Sequence, residues 1–320
     1  MATTPQLSKV LGTLLGVHAG DSLGATLEFM SWSRIKELHP RGLRDIVGGG
    51  PFSWPAGHAT DDTDLTRAVL LAYRDQHKHY AGKAKGDFDV VKSAADYSLA
   101  WDDTEPRDIG MATAIGLSNY RSSRNYATSG AGPNRAGNGS LMRCVPTALF
   151  SPTREARIRE SMAISAITHN DVRCTVSCAA YNEIVAALVR GSSVADAIEL
   201  GVQTASDLEC PSVVEAIQRG KSLSIRTTAA EGPGSDLPDS TSGFVLQSLR
   251  VAIAALLDER SLEDVLVDVV RIGGDTDTNG AIAGGLLGAR DGVEAVPARW
   301  REVLQFNEEF VEVATAILTS

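Results

Sequence analysis

The sequence predicts an all-α protein. Apolar residues recur at intervals of three and four positions through most of the chain, which is typical of helices with one buried face. No convincing run of alternating apolar and polar residues predicts a β-strand, and no internal repeat is present. No linker divides the core, because two acidic clusters far apart in the chain need to meet. We therefore expect residues 1–320 to form a single compact helical domain.

The same spacing places the elements in order. In the first helix, Leu7, Leu11 and Leu14 lie on one face, and the glycines at positions 20 and 24 allow close helix packing after it. The loops are marked by glycine, proline, serine and asparagine, and we expect them at 48–57, 121–135 and 221–243. The loop at 48–57 is a natural wall for a substrate. The predicted helices cover 7–18, 65–80, 88–101, 109–120, 155–168, 172–190, 194–205, 211–220, 244–257, 262–271, 281–289 and 297–318.

Composition excludes several classes of function. The formal net charge is −10 and the basic residues form no run, which argues against a broad nucleic-acid-binding face. The first sixteen residues are a poor secretory signal, and no stretch reaches the 18 to 20 uninterrupted apolar residues of a typical membrane span. The four cysteines lie in apolar or helical settings without a C-x-x-C pair. We expect a cytoplasmic protein with reduced cysteines, no membrane contact and a monomeric state.

Two acidic clusters at helix starts predict a metal site. One is the segment 60–64, Thr-Asp-Asp-Thr-Asp, and the other is the segment 273–280, Gly-Gly-Asp-Thr-Asp-Thr-Asn-Gly. A single cluster of this kind is ordinarily a helix cap that complements the helix dipole. Two of them supply the carboxylate and hydroxyl oxygens that Mg²⁺ and Mn²⁺ prefer. The candidate ligands are Thr60, Asp61, Asp62, Asp275, Asp277 and Thr278.

Three further acids have alternative interpretations. Asp21 and Glu28 follow closely packed glycines, and a buried acid is costly unless it is paired, hydrogen-bonded or bound to a metal. For Asp21 we favour a structural role, as a cap or as support for the ligands. Glu28 fits a structural and a catalytic role equally well. Asp108 precedes a predicted helix, where an N-cap is the simpler interpretation.

A glycine-rich turn at 137–139 is a candidate anion site. The segment Gly137-Asn138-Gly139-Ser140 is expected to open a helix, whose free backbone N–H groups would face an anion. It matches neither the P-loop nor the dinucleotide-binding fingerprint. His169 stands at a helix junction, where a histidine is more often structural than catalytic.

Taken together and in order, these motifs resemble the ADP-ribosylglycohydrolase family, and within it the dinitrogenase-reductase-activating type that removes ADP-ribose from arginine. The motifs run through nearly the whole chain: AGDSLGATLEFM, GHATDDTD, RDIG, AGNGSLMRCVP, ITHN, SGFVLQSL and GGDTDTNGAIAGGLLGA. The resemblance implies an all-α, orthogonal helical domain with two divalent cations, Mg²⁺ or Mn²⁺, at the base of an ADP-ribose cleft. It implies that the metal ligands are the same six residues that the oxygen chemistry indicates.

The resemblance also assigns the other site residues. Asn138, Gly139 and Ser140 are expected to hold the diphosphate and ribose, with Met142 in the same motif and His169 on the ribose or phosphate side. Glu28 and Asp108 match acids that act in catalysis in different branches of the family. Phe244 is a candidate to stack on adenine, and Trp54 and Phe52 are alternatives. The sequence departs from the family where Asn170-Asp171-Val172 replaces the usual second histidine and proline, and the loop 225–242 lacks aromatic residues.

The expected activity is metal-dependent hydrolysis of an ADP-ribosyl bond at C1″, with arginine on a protein as the acceptor and ADP-ribose as the product. The same chemistry on serine-linked, nucleic-acid-linked or small-molecule ADP-ribosyl compounds is an alternative. A metal-dependent phosphoesterase and a non-enzymatic ADP-ribose-binding paralogue are two further alternatives.

Overall fold

The structure is a computed structural model that describes residues 4–82, 86–234, 237 and 243–319, and every described element with regular structure is helical. The all-α prediction is therefore confirmed. The α-helices are α1 Pro5–Gly24, α2 Trp32–Leu38, α3 Asp61–Ala81, α4 Val90–Asp102, α5 Met111–Ser123, α6 Val145–Phe150, α7 Arg154–Ala166, α8 Val172–Val189, α9 Val194–Asp207, α10 Pro211–Gly220, α11 Ile225–Glu231, α12 Val245–Leu257, α13 Leu262–Arg271, α14 Thr276–Asp291, α15 Ala298–Arg301 and α16 Asn307–Thr319.

The central helix pair is α1 and α14, and glycines face each other along it. A Cβ added at Gly20 would lie 2.0 Å from the carbonyl oxygen of Gly280, and one at Gly284 would lie 2.0 Å from that of Gly16. Such distances leave no room for a side chain, so the two backbones touch directly. The glycines of this stripe are Gly12, Gly16, Gly20 and Gly24 on α1, and Gly280, Gly284 and Gly288 on α14.

This close pair sets the position of the acidic residues. Asp21 follows Gly20 on α1, and Asp277 lies in the first turn of α14, near the contact of Gly24 with the Thr276 backbone. Thr276 also donates its hydroxyl to the carbonyl oxygen of Gly24 over 2.7 Å. The start of α14 is therefore fixed against the end of α1, and one acid from each helix faces the same interior space.

The predicted loop at 221–243 is wrong in part, because residues 225–231 form the helix α11. Ser224 caps this helix by accepting a hydrogen bond from the Thr227 N–H over 3.2 Å, and Ile225 is buried. The helix buries Ile225, Thr228 and Ala229, of which only Ile225 is large and apolar, so its sequence shows little apolar periodicity. Positions 235–236 and 238–242 of the predicted loop lie outside the described residues.

Two other local predictions are wrong. The Gly-Asn-Gly turn does not open a helix, because residues 139–143 form consecutive turns and the next helix, α6, begins only at Val145. The predicted helix 297–318 is split in two, since Glu302 caps the short helix α15 and α16 starts at Asn307. In the interruption, Gln305 donates its backbone N–H to the Gly57 carbonyl oxygen over 2.9 Å.

Helix α8 is long and apolar enough to cross a membrane by length and composition, and it is 83% buried inside the protein. Within it, the buried carboxylate of Glu183 accepts a hydrogen bond from Arg157 Nε over 2.5 Å. The burial and this ion pair are typical of a core helix. All four cysteines are buried and free, two of them on this helix.

Candidate metal centre and ligand cavity

The two acidic segments meet at the base of a cavity. Thr278 donates its hydroxyl to Asp62 Oδ2 over 3.4 Å, although the two residues are 216 positions apart. Carboxylate oxygens of Asp21, Asp62 and Asp277 all lie within 4.8 Å of one another, and the three residues are buried. Helices α1, α3 and α14 each contribute one of them.

The start of α3 is stabilised by hydrogen bonds between its N-cap residue and Asp62. Thr60 is the N-cap residue, and its hydroxyl accepts the Asp62 backbone N–H over 3.3 Å while it donates to Asp62 Oδ2 over 3.1 Å. This arrangement fixes one oxygen of Asp62 and leaves Oδ1 buried without a hydrogen-bond partner. Helix capping therefore leaves one oxygen of Asp62 available to a metal ion.

Asp21 supports the start of α3 and also contributes to the carboxylate group. Its Oδ2 accepts the backbone N–H of Thr60 over 3.1 Å, the backbone N–H of Thr63 over 3.3 Å, and the Thr63 hydroxyl. Its Oδ1 is buried and has no hydrogen-bond partner. The sequence favoured the structural role for Asp21 and omitted it from the candidate ligands. Spacing alone could not show that a carboxylate oxygen of Asp21 lies within 4.8 Å of oxygens of Asp62 and Asp277.

The electrostatics of the group favour a bound cation. Burial, followed by repulsion from neighbouring carboxylates, raises the pKa of Asp62 and Asp277 well above the usual range, and burial raises the pKa of Asp21 to about 7. None of the three forms a salt bridge with any residue described in the structure. Buried carboxylates that repel each other need a cation or protons to compensate them.

The donor set fits a hard metal ion. Every donor in the group is an oxygen, and two buried carboxylate oxygens, on Asp21 and Asp62, have no protein partner. Magnesium, manganese and calcium ions prefer oxygen ligands of this kind. The buried triad could therefore hold a metal ion.

A cavity of about 670 Å³ opens above the carboxylates. This volume lies within the range of small-molecule sites, about 300–1,000 Å³. The predicted site residues that line it are Glu28, Asp61, Asp108, Asn138, Gly139, Met142, His169, Phe244, Asp275, Asp277 and Thr278. Thr60, Asp62 and Ser140 are buried behind this surface.

The Gly-Asn-Gly turn forms one wall of the cavity and contacts the acidic segment. Asn138 donates through Nδ2 to Asp275 Oδ2 over 2.7 Å and to Ser248 Oγ over 2.9 Å. Its backbone N–H bonds to the Gly243 carbonyl oxygen over 2.9 Å. The Ser140 hydroxyl is held beneath the turn by Ser165, whose Oγ donates over 2.8 Å. The turn is therefore fixed by side chains, whereas the expected helix N-terminus is absent.

Glu28 and Asp108 face the same cavity from different segments. Burial, and then the charge of Asp108, raises the pKa of Glu28 to about 8, and its Oε2 has no hydrogen-bond partner. Burial also raises the pKa of Asp108. The predicted N-cap role of Asp108 is wrong, because Gly110 caps α5 and Asp108 stands two residues earlier. The carboxyl group of Asp108 therefore does not cap α5.

Two large apolar side chains at the cavity mouth were not predicted. Phe29 is 68% exposed and Met111 is 74% exposed, and both line the cavity. Phe29 has a left-handed backbone, with φ of 62°, and donates its N–H to the Gly274 carbonyl oxygen over 2.7 Å. No sequence signal distinguishes this phenylalanine from a core residue.

The three candidate adenine-stacking residues differ in whether they line the cavity. Phe244 lines the cavity and is half-buried, with the Arg173 guanidinium 5.6 Å from its ring centroid. Phe52 and Trp54 do not line the cavity, and Trp54 stacks on His58 at a centroid distance of 5.1 Å. The geometry leaves Phe244 as the candidate among the three.

Comparison with known proteins finds relatives over nearly the whole chain. The family model for ADP-ribosylglycohydrolase matches residues 2–320. The chain is 26% identical to the ADP-ribosyl-[dinitrogen reductase] glycohydrolase of Rhodospirillum rubrum over 94% of this chain and 92% of that protein. It is 28% identical to the ADP-ribosylarginine hydrolase Tri1 of Pseudomonas putida (strain GB-1) over 97% of this chain and 78% of the relative. A solved structure of an ADP-ribosylglycohydrolase-related protein complex superposes with a TM-score of 0.76 at 25% identity, covering 98% and 97% of the two chains.

Proposed function

The chain belongs to the ADP-ribosylglycohydrolase family, and from that premise we propose that it hydrolyses the C1″ bond between ADP-ribose and an arginine side chain on a protein, with two divalent cations. The observation that carries the proposal is the buried carboxylate triad at the base of a cavity of about 670 Å³. The cavity volume is sufficient for a nucleotide-sized ligand, and Asp61, Asp275 and Asp277 line the cavity.

The proposed cations are Mg²⁺ or Mn²⁺, held by oxygens from both acidic segments. The carboxylates of Asp21 and Asp62 each have a buried oxygen without a protein partner, which supports a role in binding. Bound there, the cations would supply positive charge that orients the ribose hydroxyls and stabilises charge in the transition state. The proposed ligands are Thr60, Asp61, Asp62, Asp275, Asp277 and Thr278, with Asp21 added from the geometry.

Proton transfer is assigned to Glu28 or Asp108. Glu28 is the candidate proton donor, because burial, and then the charge of Asp108, raises the pKa of its carboxyl group to about 8. The carboxyl proton can pass to the guanidinium nitrogen as its bond to C1″ breaks. A water molecule then attacks C1″, and the resulting carboxylate accepts the proton that the water loses. ADP-ribose and the unmodified arginine side chain of the protein are the products.

The rest of the cavity binds the nucleotide. Asn138, Gly139 and His169 would contact the diphosphate and ribose, Ser140 would fix the turn from behind, and Phe244 would stack on the adenine. Met142 lines the same wall. The arginine acceptor is supported by the relative from Pseudomonas putida, which is an ADP-ribosylarginine hydrolase. The protein acceptor is supported by the relative from Rhodospirillum rubrum, which acts on ADP-ribosyl-[dinitrogen reductase].

The proposal is tested by release of ADP-ribose from arginine-ADP-ribosylated peptide, with a serine-linked peptide in parallel and a chelator in a third arm. We expect metal-dependent release from the arginine-linked peptide and none after Asp61→Ala or Asp275→Ala. Glu308→Ala is the matched control, since Glu308 is an exposed acid in the first turn of α16. Undiminished turnover in either cavity variant, or release only from the serine-linked peptide, would contradict the proposal.

A further inference from the structure

Arg143 is a buried cation behind the cavity wall, and it forms no salt bridge with any residue that the structure describes. It is 1% exposed. Its Nη1 donates to the Gly139 carbonyl oxygen over 3.3 Å, and its Nη2 donates to Thr168 Oγ1 over 2.6 Å. Burial lowers its pKa to about 10, so the group still carries its charge at neutral pH. A buried guanidinium without a carboxylate partner requires an explanation.

The hydrogen bonds of Arg143 lead to the cavity histidine. Thr168 Oγ1, which accepts from Arg143, lies 2.8 Å from His169 Nδ1. The opposite edge of the ring faces the glycine-rich turn: Nε2 would be 3.2 Å from a Cβ at either Gly137 or Gly139. Both glycines and His169 line the cavity. These hydrogen bonds therefore connect the Arg143 guanidinium, through the Thr168 hydroxyl, to the His169 ring, whose Nε2 edge borders the cavity.

Arg143 sets the direction of donation in these hydrogen bonds. A guanidinium can only donate, so Thr168 Oγ1 accepts from Arg143. The single hydroxyl proton of Thr168 is then free to donate, and His169 Nδ1 is its acceptor at 2.8 Å. The opposite tautomer, with the proton on Nδ1, would leave the hydroxyl proton of the buried Thr168 without an acceptor. Only the tautomer with its proton on Nε2 gives both the Thr168 hydroxyl proton and His169 Nδ1 a partner.

We propose that Arg143 and Thr168 are positioning residues that lock His169 in the Nε2–H tautomer, so that its ring donates a hydrogen bond to an acceptor oxygen of the bound ADP-ribose. The identity of the ligand rests on the proposed function, whereas the lock itself does not. Burial keeps the ring neutral, and the charge of Arg143 adds to this effect. Burial, and then repulsion by Arg143, lowers the pKa of His169 to about 3.

The lock predicts a spectroscopic signature in the ligand-free protein. In ¹⁵N-histidine-labelled wild type, the His169 ring is expected to show a protonated Nε2 and an unprotonated Nδ1 at neutral pH. His169→Gln identifies its signals by their loss. Thr168→Val keeps the branched shape and removes the hydroxyl, so the Nε2–H tautomer should lose its preference. Thr168→Ser, the matched control, restores the hydroxyl and should restore the signature.

The same variants test the consequence for binding. Calorimetry with ADP-ribose should show affinity weakened about tenfold in Thr168→Val, as expected for one misdirected hydrogen bond, and near-wild-type affinity in Thr168→Ser. A protonated Nδ1 in the wild type overturns the proposal even if Thr168→Val fails to fold. Wild-type affinity and an unchanged spectrum in Thr168→Val also overturn it. If the wild type shows the signature but does not bind ADP-ribose, the tautomer lock stands and the proposed ligand is refuted.

Discussion

The contact between α1 and α14 is the feature most sensitive to a small change, and Gly20→Ala probes it directly. The new Cβ would lie 2.0 Å from the Gly280 carbonyl oxygen, whereas ordinary contacts begin at 3.4 Å. The obstacle is backbone, so the helices would have to separate by about 1 Å, and overpacking of this kind costs about 1–3 kcal/mol or more. Because the clash is with backbone, the overpacking cost lies at the upper end of this range, about 3 kcal/mol. Alanine recovers about 1 kcal/mol through helix propensity. We expect a net loss of roughly 2 kcal/mol, or a fall in Tm of roughly 3 °C for a chain of 320 residues.

Urea unfolding followed by circular dichroism measures this loss. Gly132→Ala is the control, because no atom lies within 4 Å of its added Cβ, and its stability should stay within about 0.5 kcal/mol of wild type. Since Asp21 follows Gly20, Gly20→Ala should also weaken Mn²⁺ binding, which calorimetry measures. A Gly20→Ala protein with wild-type stability and Mn²⁺ affinity would refute the claim that this contact positions the acids.

Two other predictions concern charge. Burial lowers the pKa of His18 from 6.5 to about 4. Below pH 6.5 the unfolded chain therefore binds a proton that the folded protein does not bind. About 3 kcal/mol of stability should be lost as the pH falls from 6.5 to 4. Urea unfolding at pH 7 and pH 5 should show a smaller loss in His18→Gln, and equal losses would contradict this account. Asp62→Asn removes one repelling charge, so without metal it should raise Tm in a calorimetric scan. The same variant should lose the stabilisation that Mn²⁺ gives the wild type, about 2.7 kcal/mol at one hundred times Kd, and a preserved gain would rule out Asp62 as a ligand.

Long periodic helices were predictable from the sequence because the spacing of their apolar residues shows which face is buried. Helices α10 and α13 begin and end where their apolar periodicity does, at Pro211–Gly220 and Leu262–Arg271. Short elements were not predictable in this way. Helix α11 has seven residues, and the interruption before α16 depends on Gln305 bonding to Gly57, which are far apart in the chain.

The site was predictable as a set of residue types and only partly as an arrangement. Two clusters rich in Asp and Thr indicated hard-oxygen chemistry, and the structure places oxygens from both in one group. Asp21 was assigned to structural support because a single buried acid in a helix carries no signal about its second oxygen. Asp108 was read as a cap because the helix start was misplaced by two residues. Phe29 reaches the cavity mouth through a left-handed backbone that no pattern at this position predicts.

The proposed activity depends most on cation binding by the buried carboxylates. Calorimetric titration of the metal-free protein with Mn²⁺, in wild type and in Asp277→Ala, is the most direct test. We predict two Mn²⁺ ions per wild-type chain and loss of at least one in the variant. Absence of Mn²⁺ binding by the wild type, or equal stoichiometry and affinity in Asp277→Ala, would contradict the central claim.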